Sequence, residues 1–183
     1  IEKNYAEIIA LSDIIEKKTH QANEKLALWQ KKNVTLYNNS IDDWKNLAKR
    51  DDIDLIIIAT PWNLHAPMAI YCMNQNKHVA CEVPIASTIK DCWKLIETAE
   101  KSKRHCMMME NCNYNEEELW ILNMIQEGVF GDITHTEGAY LHDLRALLLD
   151  ESYYEGQWRL SEHTNRDGNL YTTHGLGPIA FYL

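Results

Sequence analysis

Short apolar runs alternate with longer segments of helical spacing along the first 110 residues. The run at 54–60 contains three consecutive isoleucines (56–58) without polar alternation, which predicts a strand buried on both faces of a parallel sheet. Pro61 ends this strand because it cannot donate to a sheet ladder, and residues 64–76 then predict a helix. Further strands are predicted at 7–13, 34–37, 78–82 and 105–109, and further helices at 17–32, 41–49 and 88–103.

This alternation of strand and helix predicts an α/β fold, a doubly wound parallel sheet of the Rossmann type. The glycine-rich turn G-x-G-x-x-G that follows the first strand of such a sheet does not occur in the chain. If the strand at 7–13 is the second, the first strand precedes Ile1, and the sheet has a gap at its middle. We therefore expect an internal fragment of a longer protein, one that binds a dinucleotide poorly by itself.

The pattern changes after residue 112. Residues 116–126 predict a helix with an acidic first turn, and residues 133–141 alternate in part, as an antiparallel strand with one solvated face does. Residues 143–166 are aromatic, charged and irregular, and a glycine-punctuated turn at 168–178 leads into a helix. We expect residues 1–112 to form a dinucleotide-binding domain and residues 113–183 to begin an α+β open-sheet substrate domain.

Charge and cysteine content narrow the range of partners. The formal net charge of −9, without any basic block, argues against nucleic acid or an anionic membrane as partner, and no apolar run is long enough to span a bilayer. The five cysteines include no C-x-x-C pair. Because Cys72, Cys81 and Cys92 lie in or beside apolar runs, we expect buried free thiols rather than disulfides or zinc, and no metal site.

Asp13 ends the first predicted strand and precedes a helix. A carboxylate at that place in a dinucleotide-binding sheet accepts hydrogen bonds from the ribose hydroxyls. It could equally cap the following helix, and the neighbouring residues alone do not separate the two interpretations. The strands that follow favour the ribose interpretation.

Several short motifs occur in an order that resembles a known family. A strand ending in Ala-Thr-Pro (59–61), a histidine at 65 and Glu-x-Pro (82–84) resemble the Gfo/Idh/MocA oxidoreductases, which have an N-terminal NAD(P)-binding Rossmann domain. One branch, glycoside hydrolase family 109, comprises NAD-dependent α-N-acetylgalactosaminidases. The motifs similar to that branch are Thr-Pro-Trp-x-x-His (60–65), Glu-Val-Pro (82–84), Met-Glu-Asn (109–111), Glu-Gly-Ala-Tyr (137–140), Trp-Arg-Leu (158–160) and Gly-Asn-Leu-Tyr-x-Thr-His-Gly-Leu-Gly-Pro (168–178).

Two positions depart from these patterns. Sugar dehydrogenases of the superfamily carry a lysine between the glutamate and the proline, where this chain has Val83, and a valine cannot transfer a proton. Thr172 stands where family 109 has a proline, which bears on the rigidity of the turn more than on chemistry.

The resemblance implies NAD as cofactor and a small glycan with a terminal α-linked N-acetylgalactosamine as substrate. Hydride leaves C3, a base removes the C2 proton, the glycosidic oxygen is eliminated, water adds to C1 and the hydride returns. By position, the implied cofactor-binding residues are Asp13, Trp62, Asn63, Leu64, His65, Glu82, Val83 and Asn111. The implied substrate-binding residues are Tyr140, Arg159, Tyr171, Thr172, Thr173 and His174.

Tyr171 and His174 are the predicted catalytic residues. Their spacing of three places them on one face of a helix, where a phenol and an imidazole could move protons at C3 and C2; which does which stays unassigned. Glu110 is a weak candidate acid without a partner visible in the sequence. Simpler interpretations exist: an ordinary strand aromatic for Tyr140, a helix cap for His174, core for Trp62, and either a surface ion pair or pocket lining for Asp143 and Arg145.

Two other functions stay open at this point. The first is a sugar dehydrogenase of the same superfamily, and the second is a non-catalytic module that senses a sugar or nucleotide. A homo-oligomer is compatible with the sequence, whereas cellular location is left open because any export signal would precede Ile1.

Overall fold

The computed structural model describes residues 5–151 and 153–183. The strands are β1 (Ala10–Ser12), β2 (Thr35–Tyr37), β3 (Leu55–Ile58), β4 (His78–Cys81) and β5 (Cys106–Met108). Between them lie α1 (Glu16–Gln30), α2 (Asp43–Ala48), α3 (Trp62–Asn74) and α4 (Ile89–Ser102). After β5 come α5 (Glu116–Gln126), α6 (Arg145–Leu148), α7 (Trp158–Asn165) and α8 (Thr173–Tyr182), with single 3₁₀ turns at Asn111–Tyr114 and Glu155–Gln157. The predicted alternation of strand and helix is confirmed.

The strands form two sheets. β1 and β2 are parallel, with Leu11 opposite Leu36, and β3, β4 and β5 form a three-stranded sheet in that order. The N–H groups of His78 and Glu82 donate to the carbonyls of Asp54 and Ile58 at 2.9 Å, so the bonds advance by four residues along both strands, which are therefore parallel. Among the residues that the structure describes, β1 does not pair with β3. The further strand that the sequence places between them stays a prediction.

Burial of β3 is one-sided, which corrects the expectation of a strand buried on both faces. Ile58 is buried, whereas Leu55 and Ile57 are 51% and 64% exposed. These two alternate residues share one face of the strand. An unbroken apolar run makes a strand suitable for burial on both faces. In β3 only the face that carries Ile58 is covered by other parts of the described chain.

Two expectations for the C-terminal part are also wrong. Residues 133–141 form no strand, because a strand needs a partner for its backbone and, in the part of the chain that the structure describes, none pairs with this segment. Residues 143–166 are not irregular throughout, since they contain α6 and α7. The sequence of α7 lacks the apolar spacing that predicts a helix, because one of its half-buried residues is a charged residue, Arg159, beside Trp158.

The chain divides into two compact units. The first comprises the chain up to Ile57, Met68–Val79 and Lys94–Cys106, and its core contains Ala48 and Met73. The second comprises Ile58–Pro67, Ala80–Trp93 and Met107–Leu183, and its core contains Trp62, His65, Cys81 and Glu110.

All five cysteines are free. Cys72 and Cys81 are buried as expected, but Cys92 is exposed on α4, which corrects the expectation for that residue. None of the described helices combines the length and the apolar character that crossing a bilayer requires.

Candidate active site

A buried histidine joins the loops that follow β3 and β4. His65 is 1% exposed, with Nδ1 at 2.8 Å from the carbonyl oxygen of Pro84 and Nε2 at 2.6 Å from that of Thr60. Carbonyl oxygens only accept hydrogen bonds, so a neutral ring can donate to one of them and a protonated ring to both. The side chain of His65 therefore positions the backbone of the two loops.

The residues that the resemblance assigns to the cofactor differ in accessibility. Asn63, Glu82 and Asn111 are exposed and follow β3, β4 and β5 in turn, and Leu64 is partly exposed. Trp62, His65 and Val83 are buried. Asn63, Glu82 and Asn111 are thus accessible to a ligand, whereas the buried members, His65 included, pack within the second unit.

Asp13 lies after β1, in the first unit. Its Oδ1 accepts the N–H of Ile15 at 2.8 Å, the local hydrogen bond that an aspartate makes with the backbone two residues on. The N-cap of α1 is Ile15 and receives no side-chain cap, so Asp13 forms a turn before the helix rather than a cap. The ribose role stays a prediction.

Arg159 lies among three aromatic rings. Its guanidinium carbon is 4.8 Å from the ring centre of Trp62, 4.9 Å from that of Tyr171 and 5.3 Å from that of Tyr154, and Nη1 donates to the Tyr154 hydroxyl at 3.2 Å. The rings of Trp62 and Tyr171 stack at 5.5 Å with an interplanar angle of 17°. The attraction between the cation and the ring faces therefore fixes Tyr171 against Trp62.

Tyr171, His174 and Tyr140 form a compact group of rings. The ring centres of Tyr171 and His174 are 4.6 Å apart and nearly perpendicular, and that of Tyr140 is 4.7 Å from His174. Burial raises the pKa of Tyr171, although the nearby Arg159 acts in the opposite direction. The Tyr171 phenol is therefore protonated at neutral pH and available as a hydrogen-bond donor.

Glu110 supplies a partner for His174 that the sequence does not reveal. His174 Nδ1 lies 2.5 Å from Glu110 Oε1, and the side chains are 8% and 2% exposed. The same oxygen accepts the N–H of Cys112 at 3.0 Å. Because an ionised carboxylate only accepts, Nδ1 carries the proton of a neutral ring and Nε2 is left as the basic nitrogen.

Three glycines allow α8 to approach its neighbours closely. A Cβ at Gly177 would lie 2.6 Å from Asn113 Oδ1 and 2.8 Å from Glu110 Cγ, and one at Gly138 would lie 2.5 Å from the Gly175 carbonyl oxygen. Real Cβ atoms do not approach other atoms this closely. The Gly-Leu-Gly segment at 175–177 is thus one reason that the first turn of α8 brings its histidine to the carboxylate.

A cavity of about 360 Å³ lies beside this group of rings. Its lining includes Tyr140, Arg159 and Tyr171, three of the predicted substrate residues, together with His142, His163 and Arg166. The other members of the predicted set are not in its lining: Thr172 is exposed, Thr173 is half-buried, and the ring of His174 contacts those of Tyr140 and Tyr171.

Asp143 and Arg145 form an exposed ion pair at 2.7 Å, with side chains 61% and 88% exposed. The hydrogen bond from Arg145 lowers the pKa of Asp143. Neither residue lines the cavity, so the geometry agrees with the surface interpretation.

Two family models match this chain. Residues 2–110 match the oxidoreductase family with an NAD-binding Rossmann fold, Gfo/Idh/MocA, and residues 114–183 match the C-terminal domain of glycosyl hydrolase 109.

Related proteins agree with both matches. A glycosyl hydrolase family 109 protein of Solibacter usitatus is 51% identical over 150 residues, which cover 82% of this chain and 34% of that protein. An alpha-N-acetylgalactosaminidase of Shewanella oneidensis is 44% identical over 177 residues, which cover 97% of this chain and 39% of that protein. The chain therefore spans between a third and two fifths of the length of these relatives.

Among solved structures, the WlbA dehydrogenase of Chromobacterium violaceum in complex with NADH and UDP-GlcNAcA is similar, with a TM-score of 0.59 and 26% sequence identity. The match covers 70% of this chain and 34% of that one.

Proposed function

We propose that this chain, which belongs to the Gfo/Idh/MocA oxidoreductase family of NAD-binding Rossmann proteins and carries a glycosyl hydrolase 109 segment at 114–183, is part of an NAD-dependent glycosidase. The intact protein removes terminal α-linked N-acetylgalactosamine. The relative named alpha-N-acetylgalactosaminidase supports this substrate.

The observation that carries the proposal is the hydrogen bond between Glu110 and His174 beside Tyr171. In this mechanism His174 Nε2 takes the C2 proton of the sugar, and the buried carboxylate stabilises the imidazolium that forms. The C3 hydroxyl loses its proton to solvent as its hydride leaves, and the neutral Tyr171 phenol donates a hydrogen bond to the oxygen that remains at C3. When bound, NAD⁺ supplies the hydride acceptor for C3, which makes the C2 proton acidic, and later the hydride donor.

The residues present fit a nicotinamide cofactor. Asn63, Glu82 and Asn111 are exposed beyond the carboxyl ends of three parallel strands, where ligands of such sheets bind. His65 ties two of these loops through their carbonyls and so presents them as one fixed edge. Among these residues Glu82 and Asn63 would contact the cofactor, and His65 would position the backbone that holds it.

Val83 favours the glycosidase over the alternative of a sugar dehydrogenase. It stands where dehydrogenases of the superfamily have a lysine, and it is 4% exposed and apolar. Valine cannot transfer a proton, so the chemistry of those dehydrogenases lacks its usual acid/base group in this chain. The elimination route relies on His174 and Tyr171 instead.

The sugar would extend from the cavity lined by Tyr140, Arg159 and Tyr171 toward His174, whose ring contacts those of Tyr140 and Tyr171. Arg159 is held by the faces of its aromatic neighbours, so its remaining N–H groups can bind sugar oxygens without a large loss of side-chain entropy.

One assay separates the two enzymes. The intact protein is incubated with NAD⁺ and a nitrophenyl α-N-acetylgalactosaminide in deuterated water. Release of nitrophenol together with deuterium at C2 of the sugar, and no net NADH, is the expected result. Accumulation of NADH without cleavage would overturn the proposal in favour of a dehydrogenase. If neither occurs although NAD⁺ binds, the module is not catalytic toward this sugar.

A further inference from the structure

One group of side chains beside the proposed active site has a chemistry that the glycosidase reaction does not use. Glu110, Cys112 and His174 each offer a ligand atom, and the three atoms lie within 4.8 Å of one another. Glu110 and Cys112 come from the start of one 3₁₀ turn and His174 from the first turn of α8. Cys112 has no part in the proposed proton transfers, although burial and the nearby Glu110 carboxylate raise the pKa of its thiol.

We infer that Zn²⁺, or a cation of similar affinity for thiolate and imidazole, binds Glu110, Cys112 and His174. Carboxylate, thiolate and imidazole are the three side-chain ligand types of protein zinc sites. Three such ligands leave a fourth tetrahedral position for water, and the two backbone segments that supply them are in close contact at Gly177. The sequence gives no indication of this site, because the motif spacings typical of zinc are absent.

The buried carboxylate provides a second, independent observation. Glu110 is 1% exposed, and its Oε2 has no hydrogen-bond partner among the residues that the structure describes. A buried polar atom without a partner costs about 1–3 kcal/mol, more when it is charged. A cation bound at this place would satisfy that oxygen.

Binding of Zn²⁺ requires two changes in protonation and one change in distance. The Cys112 thiol releases one proton to solvent, while the His174 proton moves from Nδ1 to Nε2 as Nδ1 takes the metal. The distance of 2.5 Å between His174 Nδ1 and Glu110 Oε1 must widen to about 3.3 Å, the separation of two ligands around tetrahedral zinc. These movements are small, but they replace the hydrogen bond on which the proposed mechanism depends.

Bound Zn²⁺ would therefore inhibit the enzyme, a consequence that rests on the proposed function. The nitrogen Nε2 of His174 would carry the proton in the metal complex and could no longer accept one from the sugar. The site is thus an inhibitory metal site rather than a catalytic one.

Cobalt tests the site without any assay of activity. Titration of the intact wild-type protein with Co²⁺ should produce a thiolate-to-cobalt charge-transfer band in the near ultraviolet, saturating at one equivalent and removed by Zn²⁺. Cys112→Ser should abolish the band, whereas Cys92→Ser, which removes the exposed thiol of α4, should retain it. Absence of the band in the wild type, or its persistence in Cys112→Ser, would overturn the inference.

Inhibition is measured separately with the nitrophenyl substrate. The Zn²⁺ concentration for half inhibition should rise about tenfold or more in Cys112→Ser, each protein being compared with its own turnover without metal. Equal zinc sensitivity of the two proteins would mean that zinc acts elsewhere. If the cobalt band appears as expected in a protein without glycosidase activity, the metal site stands and the proposed function fails.

Discussion

Two largely buried histidines illustrate how different partners give the same side chain different roles. His65, at the start of α3, has a backbone carbonyl oxygen at each ring nitrogen, Pro84 on one side and Thr60 on the other. His174, in the first turn of α8, has the Glu110 carboxylate at Nδ1 and the rings of Tyr171 and Tyr140 beside it. Both histidines belong to motifs of the same family, and the resemblance implies a cofactor-binding role for His65 and a catalytic role for His174.

The difference lies in what each environment does with a proton. Two carbonyls engage both nitrogens of His65, so this ring connects two loops and has no free nitrogen with which to react. The carboxylate engages only one nitrogen of His174, and its negative charge stabilises the imidazolium formed when the other nitrogen takes a proton. A histidine between carbonyls is therefore suited to positioning, and one backed by a buried carboxylate to proton transfer.

Replacement of His174 is expected to have the largest effect. His174→Ala should lower the kcat of nitrophenol release about a thousandfold, the usual contribution of a positioned general base, and should leave NAD binding nearly unchanged. Nitrophenol release and NAD titration measure the two properties separately. The exposed His135→Ala serves as control. Loss of NAD binding in His174→Ala would mean that this ring belongs to the cofactor half of the site.

Glu110→Gln is expected to rank second. An amide has nearly the same shape as the carboxylate but cannot stabilise the imidazolium, so kcat should fall about a hundredfold while the fold is retained. Kinetics of the purified variant and its melting temperature test the two parts of this expectation. Glu116→Gln, on the exposed first turn of α5, is the control. Full activity of Glu110→Gln would show that a carboxylate partner is not what suits His174, rather than His65, to proton transfer.

The contrast also shows what the sequence could predict. The strand and helix order follows from local hydrophobic periodicity. Residues 133–141 show a strand-like alternation without forming a strand, because pairing depends on a partner that local pattern does not report. In α7 the half-buried Arg159 hides the apolar period on which a helix prediction relies.

At the candidate site, the motif identified Tyr171 and His174, whose spacing of three is a local property. Glu110 could only be a weak candidate, because its partner His174 lies 64 residues further along the chain. The sequence alone does not show that two residues so far apart are in contact. The sequence shows that Glu110 follows β5 and lies in the Met-Glu-Asn motif, but Asp13 and Glu82 follow strands in the same way. Only the packing of α8 distinguishes these acids.

His65→Ala should act on stability and cofactor binding more than on chemistry. It removes the ring beside the buried Pro84 carbonyl and opens a cavity, so the free energy of unfolding should fall by about 3 kcal/mol. Turnover at saturating NAD should change by less than tenfold. Denaturant unfolding and the dependence of rate on NAD concentration are the measurements. A loss of kcat as large as that of His174→Ala would show that His65 takes part in the reaction.

Gly177→Ala should have a smaller effect through the same carboxylate. Its Cβ would meet Asn113 and Glu110, so α8 must shift, at a cost of about 1–2 kcal/mol in the free energy of unfolding. Because the shift lengthens the hydrogen bond to His174, kcat should fall further than in the control Leu176→Ala, which changes an exposed neighbour. Equal kcat in the two variants would show that the close approach serves packing alone.

Arg145→Ala should have the smallest effect, and it tests burial as the cause of the other effects. Asp143 and Arg145 form an ion pair of good geometry at 2.7 Å, comparable in length to the pair of Glu110 with His174, but both side chains are exposed to water and salt. The melting temperature and kcat/KM should both equal those of the wild type within error. If kcat/KM fell while the melting temperature did not, Arg145 would contact the sugar. The exposure of Asp143 and Arg145 would then no longer distinguish this pair from Glu110 and His174. If neither changes, the two pairs differ in effect although they are similar in length. The reason is that Glu110 and His174 are buried, whereas Asp143 and Arg145 are exposed to water.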